Sequence, residues 1–377
     1  MTAVAVAGYL VRHPVGGNAW TFAHYIAGLA RLGIEVVYVE ESGWEQSCFD
    51  PRSGRYGNDP AAGLDTARHL FALLGVHVPV LYVDRATGEV HGGDRRTLET
   101  LLGRCDALLD VGGVCDLPEF GLAGRRALVD LDPGFTQAGR FGGRDLDRYD
   151  VHFSYGLNVG RDTCPIPTHG LAWQPTVPPV VLDAWVPVDR PRRPHRFTTV
   201  ASWDAYGTVA IGGRELGQKD TQLRAVMPLA SRSPYPLEVA LAAAPAAVVE
   251  GLRDAGWIIT GAEQVREVGA YRRYLQDSAG EFSVAKQAYV ETRSGWVSDR
   301  TACYLAAGRP AVVEDTGAGD ALPLGEGLLT FRDEGEALAA LEAVAAAPAR
   351  HAVAAAELAR TVFDAGRVLA SLVDRTI

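Results

Sequence analysis

Residues 4–39 read VAVAGYLVRHPVGGNAWTFAHYIAGLARLGIEVVYV, and this stretch decides the fold. Residues 4–11 are apolar enough for a buried strand, residues 20–32 carry apolar side chains at helical spacing, and Gly33 stops that helix. Residues 34–39 return to a β-branched apolar run. Strand, loop, helix and strand in so short a span make a βαβ unit, which opens a parallel sheet. Outward from it, the pattern predicts strands over 78–83, 107–111, 127–131 and 151–155, with helices over 64–74 and 95–104. Eight of the 21 prolines then fall in residues 165–194, a segment that ends in the basic run Arg190-Pro191-Arg192-Arg193-Pro194 and reads as a linker. Strands resume over 197–201, 237–241, 257–260, 311–314 and 328–331, and an Ala/Leu/Glu/Arg-rich helical stretch follows from 333, interrupted near Pro348. The expected fold class is α/β, two Rossmann-like domains facing a central crevice. Residues 1–174 form the first, 175–195 the linker and 196–355 the second, and a last helix over 356–377 crosses back to the first.

A chain of 377 residues with 47% hydrophobic side chains can fill two cores. Its apolar runs are broken well short of the roughly 20 residues that span a bilayer, and no basic region precedes the first of them, so no transmembrane segment and a cytoplasmic location are expected. Cys48, Cys105, Cys115, Cys164 and Cys303 are scattered, with no C-x-x-C pair to suggest a disulfide framework or a zinc site. A net charge of −10 predicts no nucleic-acid partner, whereas a small anion needs only local positive charge. Among 36 basic residues only Lys219 and Lys286 are lysine. A GC-rich genome accounts for the scarcity, and the two survivors are read either as chance or as places where a compact ammonium fits better than a planar fork.

Parallel sheets bind ligands in the loops after their strands. After the first strand comes Arg12-His13-Pro14-Val15-Gly16-Gly17-Asn18, in which Gly16 and Gly17 let a donor approach the backbone and the helix start favours negative charge. His13 and His24 are read as a base near an acceptor or as structural hydrogen-bonders, and Asn18, Trp20 and His24 as acceptor contacts. The G-x-G-x-x-G spacing is missing, which argues against nicotinamide. Asp130-Leu131-Asp132 and Asp145-Leu146-Asp147 each spell D-x-D, a pair that arises easily by chance in an Asp-rich chain, and no metal is expected. Asp132 is read as a base, an acceptor contact or a helix cap, and Gln137 as an acceptor contact.

Residues 281–319, EFSVAKQAYVETRSGWVSDRTACYLAAGRPAVVEDTGAG, place a helix start at Ser298-Asp299, a stop at Gly308 and a strand after Pro310. Ser294, Ser298, Asp299, Arg300 and Thr301, joined by Lys286, suit a diphosphate whose charge grows as a glycosidic bond breaks. Trp296 stacks on a base or sugar, or belongs to the core. The stretch 303–310, followed by Glu314-Asp315-Thr316-Gly317, resembles the donor-binding signature of GT-B glycosyltransferases, in particular bacterial family-1-like members and relatives of spore-maturation glycosyltransferases. That class carries two glutamates seven apart on sugar and ribose, and alignment on Gly308-Arg309-Pro310 puts Trp296 and Cys303 there instead. The resemblance implies that Asp299 or Asp315, with Thr316 and Gly317, supplies polar contacts to the donor, and that Lys219 binds phosphate. It also implies transfer from a nucleotide diphosphate sugar to a hydroxyl or amine of a small-molecule, natural-product or cell-surface acceptor. The transfer would be metal-independent, with no cofactor beyond that co-substrate, by a monomer or homodimer. The alternatives are a non-catalytic nucleotide- or sugar-binding protein of the same fold and a nucleotide-sugar epimerase.

Overall fold

The computed structural model describes residues 2–141, 145–188, 191–205 and 207–377; Arg190 of the basic run lies outside them. In chain order the first half runs β1 (Ala3–Ala7), α1 (Gly16–Arg31), β2 (Glu35–Glu41), β3 (Cys48–Asp50), β4 (Arg55–Gly57), α2 (Ala61–Leu73), β5 (Val80–Val83), β6 (Val90–His91), α3 (Arg95–Leu102), β7 (Ala107–Val111), β8 (Arg125–Asp130), β9 (Val151–Ser154) and β10 (Trp173–Pro175). The second half runs β11 (Arg193–Ser202), β12 (Val209–Ile211), β13 (Arg214–Leu216), α4 (Lys219–Ala225), β14 (Leu237–Ala242), α5 (Ala246–Asp254), β15 (Ile258–Gly261), α6 (Val268–Gln276), β16 (Ser278–Ser283), α7 (Gln287–Glu291), α8 (Asp299–Ala306), β17 (Ala311–Glu314), β18 (Leu328–Phe331), α9 (Glu334–Ala346), α10 (Pro348–Leu358) and α11 (Ala365–Thr376).

The first sheet has the order β10-β9-β8-β7-β1-β2-β5-β6, parallel except where β6 turns back on β5. The second, β15-β14-β11-β16-β17-β18, is parallel throughout. Both are doubly wound around their first strand, as two Rossmann-like domains require. β1 is buried along its whole length and stops at Ala7, short of the predicted end at residue 11. The amides of Leu10 and Val11 are taken by the side chains of Tyr38 and Glu40, at 2.9 and 2.7 Å, so the backbone leaves the ladder without leaving the core.

The last two residues of the basic run open β11: Arg193 lies 3.4 Å from the buried Glu238, and a register shift between Arg193 and Phe197 accommodates Pro194. Pro348 opens α10 where a missing N–H costs nothing, which is why the C-terminal helices break there. α11 then crosses back and packs on α1. The Ala365 amide donates to the Val180 carbonyl at 2.9 Å, and a Cβ on Gly28 would stand 2.4 Å from Leu369, so Gly28 lets the two helices meet. One apolar cluster runs unbroken from β1 and α1 through Trp185, Tyr271 and Cys303 into α8 and α11.

Candidate functional site

In each sheet the strand order reverses beside its first strand, between β1 and β7 and between β11 and β16, and these switch points are where the loops leave room for a ligand. The two carboxyl edges face one another. Trp296 Nε1 donates to the Leu131 carbonyl at 3.1 Å, and Asn158 Nδ2 donates to the carbonyls of Arg293 and Gly317 at 2.9 and 3.0 Å. Lys286, just before α7, reaches across to Asp132 Oδ1 at 2.6 Å. Tyr289, one helical turn on, donates its hydroxyl to the same oxygen. The ammonium also lies over the rings of Phe135 and Tyr289, with the Tyr289 ring packed on Trp296.

Lys219 is the first residue of α4, and it is half-buried. Burial comes first in pulling its ammonium down to about 7, followed by the positive charges of Arg300 and Lys286, with Glu281 and Asp299 opposing. It enters no ion pair among the described residues. Around it the Thr199 hydroxyl and Glu281 Oε2 are buried and, among the described residues, without a hydrogen-bond partner, an arrangement more usual at binding sites than in a closed core. Glu314, at the end of β17, accepts from the Ala285 amide and from Gln222. Burial raises its carboxyl to about 7, against those hydrogen bonds and the charge of Lys219. A small cleft lined by Ser283, Ala285, Trp296, Ser298, Thr301 and Thr316 opens at the start of α8.

The other predicted donor contacts are placed differently from the expectation. Gly16 and Gly17 meet a helix instead of a ligand. A Cβ on Gly16 would stand 2.3 Å from Tyr271 Cβ and one on Gly17 3.3 Å from the Tyr271 ring, while the Gly16 amide donates to the Arg266 carbonyl. Arg300 is committed to the core, with Nε on Glu281 at 2.6 Å and Nη1 on the Val200 carbonyl at 2.6 Å. Ser298 caps α8, its hydroxyl accepting from the Arg300 amide, and Asp299 in the first turn receives the Thr21 hydroxyl of α1. Ser294 and Thr316 brace the loop before α8 through the carbonyls of Tyr289 and Trp296, and Asp315 accepts from the Gly317 amide at 2.8 Å.

The four predicted acceptor contacts also need correction. His24 is 1% exposed, with Nδ1 3.2 Å from the Val181 amide and Nε2 3.1 Å from the Trp185 indole, and the one unprotonated nitrogen of the neutral ring accepts from the donor that faces it. Burial lowers it to about 3, so it is neither an acceptor contact nor a base at neutral pH. Trp20 is equally buried and donates to the Val268 carbonyl. Gln137 is fully buried between Asp130 and the Gly134 amide, and the Asn18 amide ties down the carbonyls of Tyr9 and His13. Asp130 is likewise buried, hydrogen-bonded by Thr136, Gln137 and Ser154, and therefore does not join Asp132 in presenting a pair of carboxylates to one ion.

His13 differs from these. It is half-buried beside Phe49 and stacked on Tyr56, burial lowers its pKa, and among the described residues no group hydrogen-bonds its ring nitrogens. Tyr289, Glu314 and Asn158 were missed by sequence reasoning. Tyr289 follows Lys286 at i+3 and was legible as a second side chain on that face, whereas Asn158 carries no local signal at all.

No protein-family model matches the chain, and no curated protein matches it. Solved structures do. An α-glucosyltransferase in complex with UDP superposes with a TM-score of 0.61 at 10% identity, covering 100% of this chain and 99% of that one. The α-glucosyltransferase in complex with UDP and a 13-mer DNA gives 0.59 at 12% identity, with 99% and 98% covered. AviGT4, a glycosyltransferase involved in avilamycin A biosynthesis, gives 0.59 at 13% identity, with 100% and 97% covered. A protein of this architecture is thus seen on DNA, so a net charge of −10 is no ground for excluding nucleic acid, and that expectation is withdrawn. Among the described residues no helix is long and apolar enough to cross a membrane. With both sheets doubly wound and the match extending over the full length of these structures, the chain has the GT-B fold, two Rossmann-like domains across one crevice.

Proposed function

We propose that this protein is a glycosyltransferase that takes a sugar from a nucleotide diphosphate sugar. The observation that carries the reading is Lys219, a half-buried ammonium without an ion pair among the described residues at the carboxyl edge of the second sheet, close enough to Lys286 to feel its charge. A dianionic leaving group relieves the repulsion between two such ammoniums, and gains most as its charge develops in the transition state. Lys286 moves from Asp132 to the diphosphate. His13, neutral at pH 7 because burial disfavours its charged form, takes the proton from the acceptor. In this reading Asp132 positions Lys286, and no metal enters the reaction.

The test is thermal: saturating UDP, GDP or dTDP raises the melting temperature. No shift with any of the three sinks the proposal. The presence of Trp296 and of the deeply buried Cys303 at the places of the two glutamates favours one second reading, a binding protein without turnover. In that case nucleotide binds, but no sugar nucleotide is consumed with any acceptor.

A further inference from the structure

Trp20, His24 and Gln137, first read as acceptor contacts, are buried, and the Asn18 amide is spent on backbone carbonyls, so on the transferase reading the acceptor sits elsewhere. An open cavity of about 730 Å³ lies between the β3–β4 hairpin, the first turns of α2 and the start of α6. That is room for two or three sugar rings by the usual size of small-molecule sites. Both halves of the protein build it: Glu267 and Val268 come from the second half and the rest from the first. The hairpin is fixed there, with Arg266 Nη1 donating to the Pro51 carbonyl at 3.2 Å and its guanidinium over the Phe49 ring.

We infer that this cavity seats the acceptor and takes a carbohydrate that carries amino groups. Tyr56, 55% exposed, lines it and stacks on His13 with ring planes 11° apart, so an aromatic platform of the kind that holds a sugar face adjoins the proposed base. Asp50, Asp59, Asp65 and Glu267 line the wall with Arg52 and Arg55, and Asp65 is already paired with Arg68 at 3.1 Å. Asp59 and Glu267 enter no ion pair among the described residues, which leaves carboxylate oxygens to accept from ammonium and hydroxyl groups. These two carboxylates without an ion pair favour an amine over an acid or a phosphate ester at this wall. Since Tyr56, Asp59 and Glu267 are exposed, changing them leaves the core intact.

The probes are kanamycin, its fully N-acetylated form, maltose and a 13-mer DNA duplex, titrated calorimetrically into the full chain. The amine-bearing sugar binds, N-acetylation weakens it at least tenfold, and the Asp59→Asn/Glu267→Gln double variant and Tyr56→Ala each do the same while melting like the parent. The inference is overturned if none of the sugars binds, if maltose or the acetylated form binds as tightly, if the variants bind unchanged, or if only the duplex is held. A nucleotide diphosphate shift in the same preparation separates the two failures. With that shift present this inference alone falls, and with it absent the transferase reading falls too.

Discussion

On the proposed function, burial and ligand binding pull in opposite directions at Lys219. Unfolded, its ammonium titrates at 10.5; folded, at about 7. Between those values the unfolded chain holds one more proton than the folded one, so stability rises with pH through this window, and below about 7 the whole cost of the buried charge is carried. Lys219→Met therefore stabilises the ligand-free protein at pH 6 by about 1–2 kcal/mol, discounted for the partial exposure of the side chain, and the gain disappears as pH approaches 10.5. Urea midpoints at pH 6 and pH 9.5 check this, and an equal gain at both values contradicts it. The same substitution abolishes the nucleotide diphosphate shift. Lys286 has no such conflict, because Asp132 and two aromatic rings already hold its charge. Lys286→Met is expected to lower kcat about 10²- to 10³-fold, the usual loss for one preorganised electrostatic donor. Turnover of the sugar nucleotide measures it, and a change in KM alone would assign Lys286 to ground-state binding.

The pair Gly16-Gly17 shows how one local pattern serves two structures. A glycine pair before a helix permits either a phosphate or another helix to approach, and here Tyr271 of α6 occupies the space. Gly16→Ala forces a methyl to within 2.3 Å of Tyr271 Cβ and is expected to cost about 1–3 kcal/mol as overpacking. Gly17→Ala, at 3.3 Å from the ring, costs less, which differential scanning fluorimetry of the two variants resolves. Unchanged melting of both with weakened nucleotide binding would return the pair to the ligand. The periodic elements were legible: β7, β17 and β18 lie where the apolar pattern puts them, since a strand buried on both faces is mainly apolar, with Asp110, Glu314 and Thr330 as the polar exceptions. β16 was not, because Ser278 and Glu281 look like surface residues until Ser278 is seen hydrogen-bonded to Thr198 and Glu281 paired with Arg300. The β3–β4 and β12–β13 hairpins are three-residue pairs, too short for any period to show. Of the candidate site, Lys219 and Lys286 were legible, because lysine is rare in this chain. Which side chain faces the crevice was not, because His13 and His24 differ only in the partners that the fold brings to them.

At the scale of the whole molecule, the two sheets belong to one cooperative unit, and this decides how the crevice can move. Trp20, Trp185, Tyr271 and Cys303 are all buried in the cluster that runs from α1 across α6 and α8, and Thr21, Trp20 and the Gly16 amide each hydrogen-bond to the second half. Swinging the halves apart at α1 would bare much of three large aromatic side chains, on the order of 5–10 kcal/mol of apolar burial, comparable to the stability of an entire domain. A rigid-body opening there is closer to unfolding than to a hinge motion. Rearrangement on the other side of the crevice is cheaper. Lys286 can exchange Asp132 for an anion without exposing that core, whereas the β12–β13 hairpin stays seated through Val209, Ile211 and Leu216, which are buried in one cluster with Phe135 and Tyr289. Calorimetry should accordingly give a single endotherm whose van't Hoff and calorimetric enthalpies agree, although the chain carries two sheets of Rossmann-like topology. Two resolved transitions would mean that the shared cluster does not couple the halves. Saturating UDP should move that one endotherm upward as a whole, since a ligand held mainly by the second half stabilises the first through the aromatic contacts they share.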